Sequence, residues 1–141
     1  MKRELIIVAI AFAGTLAFSA CSKEKQEQKI EDIVVQVMTD GVWLITHYQE
    51  GADTMTSQFQ GWEAQFFENR TAIGRNTVTG VTVNGTWEGS YSSQTMTGNF
   101  GTTAPVNKLN GTWKIIRSTY TVGQFTRQEN GKEYKLEIMK K

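Results

Sequence analysis

From Gly41 to Met139 the chain is a succession of short runs in which apolar and polar residues alternate, each ended by a turn signal. Sixteen threonines and twelve glycines fall in this stretch, and its only proline is Pro105. That composition suits strands and tight turns far better than helices. The runs predict strands over 42–49, 61–68 and 71–76, within 77–91, and over 95–100, 111–117, 122–127 and 133–139. Turns are expected at Glu50-Gly51-Ala52-Asp53, Asn84-Gly85 and Asn130-Gly131, and a loop over 102–108. Eight short strands with short connections define an all-β fold. Closing them into a small eight-stranded antiparallel up-and-down barrel removes the unpaired edges of an open sheet.

Period-2 alternation also predicts which side chains face inward. Trp62, Ala64 and Phe66 share one face; so do Trp87, Gly89 and Tyr91, and Met96, Gly98 and Phe100. Tyr134, Leu136 and Ile138 oppose Glu133, Lys135 and Glu137 in the last strand. The expected barrel interior, and the lining of any ligand site in it, is Trp43, Ile45, Phe66, Ile73, Trp87, Met96, Phe100, Trp113, Phe125 and Leu136, with Trp62, Tyr91, Ile115, Tyr134 and Ile138 beside them. An eight-stranded barrel is just wide enough to be filled by such side chains or to hold one small ligand.

The N-terminal third is built differently. Lys2 and Arg3 precede an unbroken apolar run from Leu5 to Ala13, and small residues follow down to Phe18-Ser19-Ala20-Cys21. A basic start, a short apolar stretch and a small-residue exit predict a secretory signal peptide over residues 1–20. The run is shorter than the roughly 20 residues needed to span a bilayer. Phe18-Ser19-Ala20-Cys21 resembles a bacterial lipobox, which implies that Cys21 is acylated and becomes the mature N-terminus. Several acyl chains on one cysteine anchor firmly, at about 0.8 kcal/mol per buried CH₂. Residues 22–29 contain no apolar side chain and are expected to be a flexible spacer. Ile30, Ile33, Val34, Val37 and Met38 follow helical spacing, so a short helix is expected over 30–38, opening a barrel domain that occupies 30–141.

Three segments repeat a Gly-x-Trp pattern: Gly41-Val42-Trp43, Gly85-Thr86-Trp87 and Gly111-Thr112-Trp113. With Leu109-Asn110-Gly111-Thr112-Trp113-Lys114-Ile115-Ile116 and the Asn-Gly hairpin near the end, they make residues 41–139 resemble the lipocalin-like domain of Bacteroidota lipoproteins. The resemblance implies a calycin-type barrel, with the helix at 30–38 plugging one end. It also implies a cation laid over a Gly-x-Trp ring, for which Arg127 over Trp43 is the candidate pair. It implies no particular ligand. Acidic export signals follow the acylated cysteine in surface lipoproteins of that group. The mixed charges at 22–29 therefore point to an outer-membrane lipoprotein facing the periplasm.

The chemistry of catalysis is thin. His47 is the only histidine and has no evident orienting acid, and the single cysteine excludes a disulfide framework or a multi-cysteine zinc site. No nucleophile elbow or phosphate loop is present. Residues 41–139 hold eight basic and eight acidic side chains, which gives nucleic acid no electrostatic purchase. No enzyme activity, metal or cofactor is expected. The expected partners are the membrane, through the lipid, and either a small apolar ligand in the lumen or another envelope protein on the outside of a filled, monomeric barrel. Cells fed a fatty-acid analogue should label this protein, and Cys21→Ala should abolish the label; label retained by the variant would refute acylation at that residue.

Overall fold

The computed structural model describes residues 24–141. Cys21 and the signal peptide expected over residues 1–20 lie outside the described residues. A helix, α1, covers 24–39. The strands are β1 (Trp43–Glu50), β2 (Asp53–Thr54), β3 (Trp62–Phe66), β4 (Thr71–Asn76), β5 (Thr82–Ser90), β6 (Thr95–Asn99), β7 (Gly111–Ser118), β8 (Val122–Glu129) and β9 (Lys132–Lys140). Each pairs antiparallel with the next, except that β1 rather than β2 pairs with β3. The last strand returns to the first, with Trp43 opposite Lys140 and Glu50 opposite Tyr134. The result is a closed eight-stranded antiparallel barrel, with β2 a two-residue ribbon on the end of β1.

Two turns of 3₁₀ helix, Thr56–Phe59 and Val106–Leu109, lie in loops at one pole. The second sits in the segment expected to be a plain loop. Their Phe59, Val106 and Leu109 are buried beside Tyr48 and Trp113 and seal that pole. The ring of Tyr48 stands 5.1 Å from Phe59 and 6.5 Å from Trp113. Asn110 ties the loop down: its side-chain oxygen accepts from the Phe100 N–H at 2.6 Å, and its amide donates to the Gly101 carbonyl at 2.8 Å.

Four expectations about the elements and their faces need correcting. Tyr48 is fully buried although strict alternation from Trp43 and Ile45 points it outward. Ile45 pairs with Ile138 but His47 pairs with Glu137, so Thr46 is an extra residue. This bulge swaps the faces of the strand beyond it. Ile73 is not in the barrel: Ala72 and Gly74 are the inward residues of β4, and Ile73 takes the outward row opposite Gln65 and Asn84. Asn84-Gly85 is no turn but the middle of β5, and the chain turns at 77–81 instead. Gly85 is needed there for close approach, because a Cβ on it would lie 2.5 Å from the Asn99 carbonyl oxygen and 2.8 Å from the Phe100 ring. Finally, α1 begins by residue 24, so 24–29 is a solvated helical turn and not a loose spacer. Its Glu, Lys and Gln residues are good helix formers that need no packing partner.

The three Gly-x-Trp rings are buried and share one arrangement. The indole N–H of Trp43 donates to the Met38 carbonyl at 3.0 Å, that of Trp87 to Phe67 at 2.9 Å and that of Trp113 to Leu109 at 3.0 Å. The acceptors stand near the end of α1, at the start of the 67–70 turn and at the end of the second 3₁₀ turn. Each ring also carries a cation: Lys140 over Trp43 at 5.2 Å, Arg70 over Trp87 at 5.0 Å and Arg127 over Trp113 at 4.4 Å. Arg127 thus covers Trp113, not Trp43. It is held between that ring and Tyr134 while donating to the Asn110 and Lys108 carbonyls. Gly111 makes room for it, since a Cβ there would lie 2.7 Å from the guanidinium. Trp43→Ala and Trp113→Ala should each cost about 3–5 kcal/mol, whereas exposed Glu88→Ala should stay within about 0.5 kcal/mol. Urea midpoints measure this, and an unchanged midpoint for either tryptophan variant would remove that ring from the core.

Candidate functional site

The expected lumen site is nearly full. A void of about 50 Å³ is left at the barrel centre, bordered by Ile45, Phe66, Trp87, Met96, Phe100, Trp113, Phe125 and Leu136. That is room for a few water-sized molecules, and its apolar lining offers water no partners. The large space lies above it, at the pole opposite the 3₁₀ turns. A cavity of about 450 Å³ opens between α1 and the ends of β5, β6, β7 and β8. Known small-molecule sites run from about 300 to 1,000 Å³, so this one has the right size.

The helix makes the roof. Ile30, Ile33, Val34, Val37 and Met38 line the cavity from above, and Met38 is buried against the barrel. These are the five residues whose spacing predicts one helical face. The floor is Trp43, Trp87, Met96, Ile115 and Phe125. Ile116 and Tyr120 stand on the rim, largely in solvent, with Tyr91 partly exposed beside them. Of the residues expected to line a site, Trp43, Trp87, Met96 and Phe125 reach this cavity. Trp87, Met96 and Phe125 border both spaces. Ile45, Phe66, Phe100, Trp113 and Leu136 belong to the packed lumen alone. Ile73 reaches neither. Barrel alternation alone finds the floor; the roof is legible only by asking what the amphipathic helix covers.

Few charges enter the cavity. Glu31 borders it from the helix, and Arg70 and Arg117 from the strand ends. Arg70 sits in the tight 67–70 turn with φ +69°, a conformation usually left to glycine, and this brings its guanidinium over the Trp87 ring. Arg117 pairs with Gln124, whose side chain bonds Glu137 on the outer surface. Its charge therefore faces away from the apolar floor.

The other polar groups are occupied in bracing the barrel. His47 Nε2 lies 3.2 Å from Gln49 Oε1. Its cross-strand neighbour Glu137 bonds Gln124 at 2.8 Å and Thr46 at 2.9 Å, and these two donors hold its carboxyl below the usual range. Among the described residues, no group of three His, Cys, Asp or Glu could hold a metal ion. At the sealed pole, Glu50 accepts from Lys108 at 2.7 Å and from the Tyr48 hydroxyl at 3.1 Å. The Lys108 hydrogen bond is the main reason that the Glu50 carboxyl is lowered from its ordinary value. Burial, reinforced by the Glu50 charge, pushes the Tyr48 phenol far above the usual range.

A sealed pole, a filled lumen and a helix-covered mouth define the class: a small up-and-down β-barrel with a roofed opening. Compared with known protein families the chain matches none, and no curated protein matches it. Among solved structures, it is similar to the crystal structure of a DUF4847 family protein from Bacteroides vulgatus ATCC 8482. The TM-score is 0.54 at 16% sequence identity, over 75% of this chain and 96% of that one. At that identity the likeness is one of fold.

The Glu50 contact carries a pH dependence. Its folded-state pKa is depressed, so its contribution is complete above the ordinary carboxylate value and is lost as pH falls through the lowered one. Both partners are partly exposed, which limits the contribution to about 1 kcal/mol or less. Glu50→Gln should therefore lower stability slightly at pH 7 and narrow the gap to the parent protein below about pH 4. Melting temperatures across pH 3–7 read this out, and a gap that widens on acidification would contradict it.

Proposed function

We propose that this protein is a lipid-anchored, lipocalin-like binding protein of the bacterial cell envelope. It holds a small apolar ligand beneath α1 at the barrel mouth, not in the lumen. The observation that carries the reading is the contrast in volume, about 450 Å³ at the mouth against about 50 Å³ in the centre. The cavity is apolar on its floor and roof, and its polar groups are confined to the rim. Such a site favours an uncharged or weakly polar molecule through burial. The role proposed is binding, and the engagement of His47, Glu50 and Glu137 in bonds that brace the barrel supports that reading. Lipid anchoring rests on the lipobox-like Phe18-Ser19-Ala20-Cys21, and a periplasm-facing position on the mixed charges that follow.

A second reading treats the barrel as a filled module that meets another envelope protein. The nearly full lumen and the exposed Ile116 and Tyr120 favour it. One titration separates the two. N-Phenyl-1-naphthylamine, an uncharged aromatic probe, should bind with energy transfer from Trp43 and Trp87. Val34→Trp adds a large ring to the roof and should weaken binding by about tenfold or more, as expected when a site is filled. Lys132→Ala, at the opposite pole, should change nothing. No binding, or equal binding by Val34→Trp, would refute the cavity as the ligand site.

A further inference from the structure

The exposed large apolar side chains of the described residues are unevenly placed. Val78 and Val81 stand on the 77–81 turn at the sealed pole. Ile33, Tyr91, Ile116, Tyr120 and Met139 gather at the mouth, where Tyr120 is 70% and Ile116 59% exposed. Neither of these two serves the barrel. The 119–121 turn is held by Thr119, whose hydroxyl accepts from the N–H groups of Thr121 and Val122. Tyr120 is left at its tip. Ile116 is the extra residue where Ile115 pairs with Phe125 and Arg117 with Gln124. The bulge puts an isoleucine in water at the rim of an apolar cavity.

We propose that this rim docks on the surface of a lipid bilayer. Tyr120 and Ile116 enter the headgroup layer, and the cavity opens toward the lipid. The inference rests on the acylation of Cys21 put forward above. What selects a bilayer is where the chain leaves the barrel. Residues 30–38 of α1 lie across the mouth, so the N-terminal segment departs at the rim and not at the sealed pole. Helical residues 24–30 add about 9 Å, and the three steps back to Cys21 add at most about 10 Å whatever their conformation. The acyl chains therefore stand within about 20 Å of the rim. A tether that short presents the rim to the membrane at an effective concentration near the millimolar range, so weak insertion suffices. Tyrosine suits the place, with an apolar ring for the interface and a hydroxyl for water. The charges that border the cavity are of both signs, Arg70 and Arg117 against Glu31. The apolar and aromatic side chains carry the fit, not net charge.

The test uses the full acylated chain reconstituted in vesicles of phosphatidylethanolamine and phosphatidylglycerol. A spin label is placed at Tyr120→Cys or, at the opposite pole, at Val78→Cys. Acylated Cys21 has no thiol to label. The label at 120 should relax several-fold more with bilayer-dissolved oxygen than with an aqueous nickel chelate, and the label at 78 should show the reverse. Adding Ile116→Asp should return the label at 120 to water. Protein bound to vesicles with both labels in water overturns the docking and leaves the anchor standing. Shielding at 120 that vanishes when the protein is diluted in lipid assigns the rim to a second copy of the chain and also overturns the docking. A chain that stays off the vesicles, with Cys21 unmodified by mass, overturns anchor and docking together.

Discussion

The barrel depends on three indole N–H groups that reach out of the core to a backbone carbonyl. A buried tryptophan contributes a large apolar surface, but its N–H must be satisfied or burial is penalised. Here the acceptors are Met38 at the end of α1, Phe67 in the β3–β4 turn and Leu109 at the end of a 3₁₀ turn. Each ring thus fills the interior and fastens a segment at an end of the barrel. Lys140, Arg70 and Arg127 set their charged groups over the faces of these rings. Roof, turn and sealed pole hang on the same kind of contact.

Strand order, closure and nearly all strand positions are legible in the sequence, because alternation and turn residues encode them locally. What is not legible comes from places where one residue is added or one side chain is tolerated for a reason outside its own strand. The bulge at Thr46 sends Tyr48 inward, and its cause is the pairing of β1 with β9, some ninety positions away. Ile73 reads as core, yet its strand is phased by Ala72 and Gly74, small residues that leave room for Val106 and Phe100. Asn84-Gly85 reads as a turn because nothing local reveals that the Phe100 ring needs the space above Gly85. The family resemblance leads to a cation over a Gly-x-Trp ring but mismatches the pair, since Arg127 and Trp113 meet only through the fold.

The candidate site shows the same division. Its floor belongs to the barrel and is found by period-2 reading. Its roof belongs to a helix whose five apolar residues form a clear stripe, and a stripe states only that something must be covered. Four tryptophans in so small a barrel fill the centre and displace the free volume to the one pole that no 3₁₀ turn seals. A core this aromatic leaves space only where secondary structure changes type.

The seam between β1 and β9 also sets an order of assembly. In a chain made from its N-terminus, β1 emerges first and its main partner last, so for most of synthesis it has only β2 and a short stretch of β3 beside it. Its hydrogen-bonding edge stays open until β9 is released. Contacts of such long sequence separation form late and slowly. The barrel cannot be finished piecemeal: a nascent chain that lacks its last strand is an open sheet with two raw edges. For the exported lipoprotein proposed above, that delay would be an advantage, because completion waits until β9 has passed through.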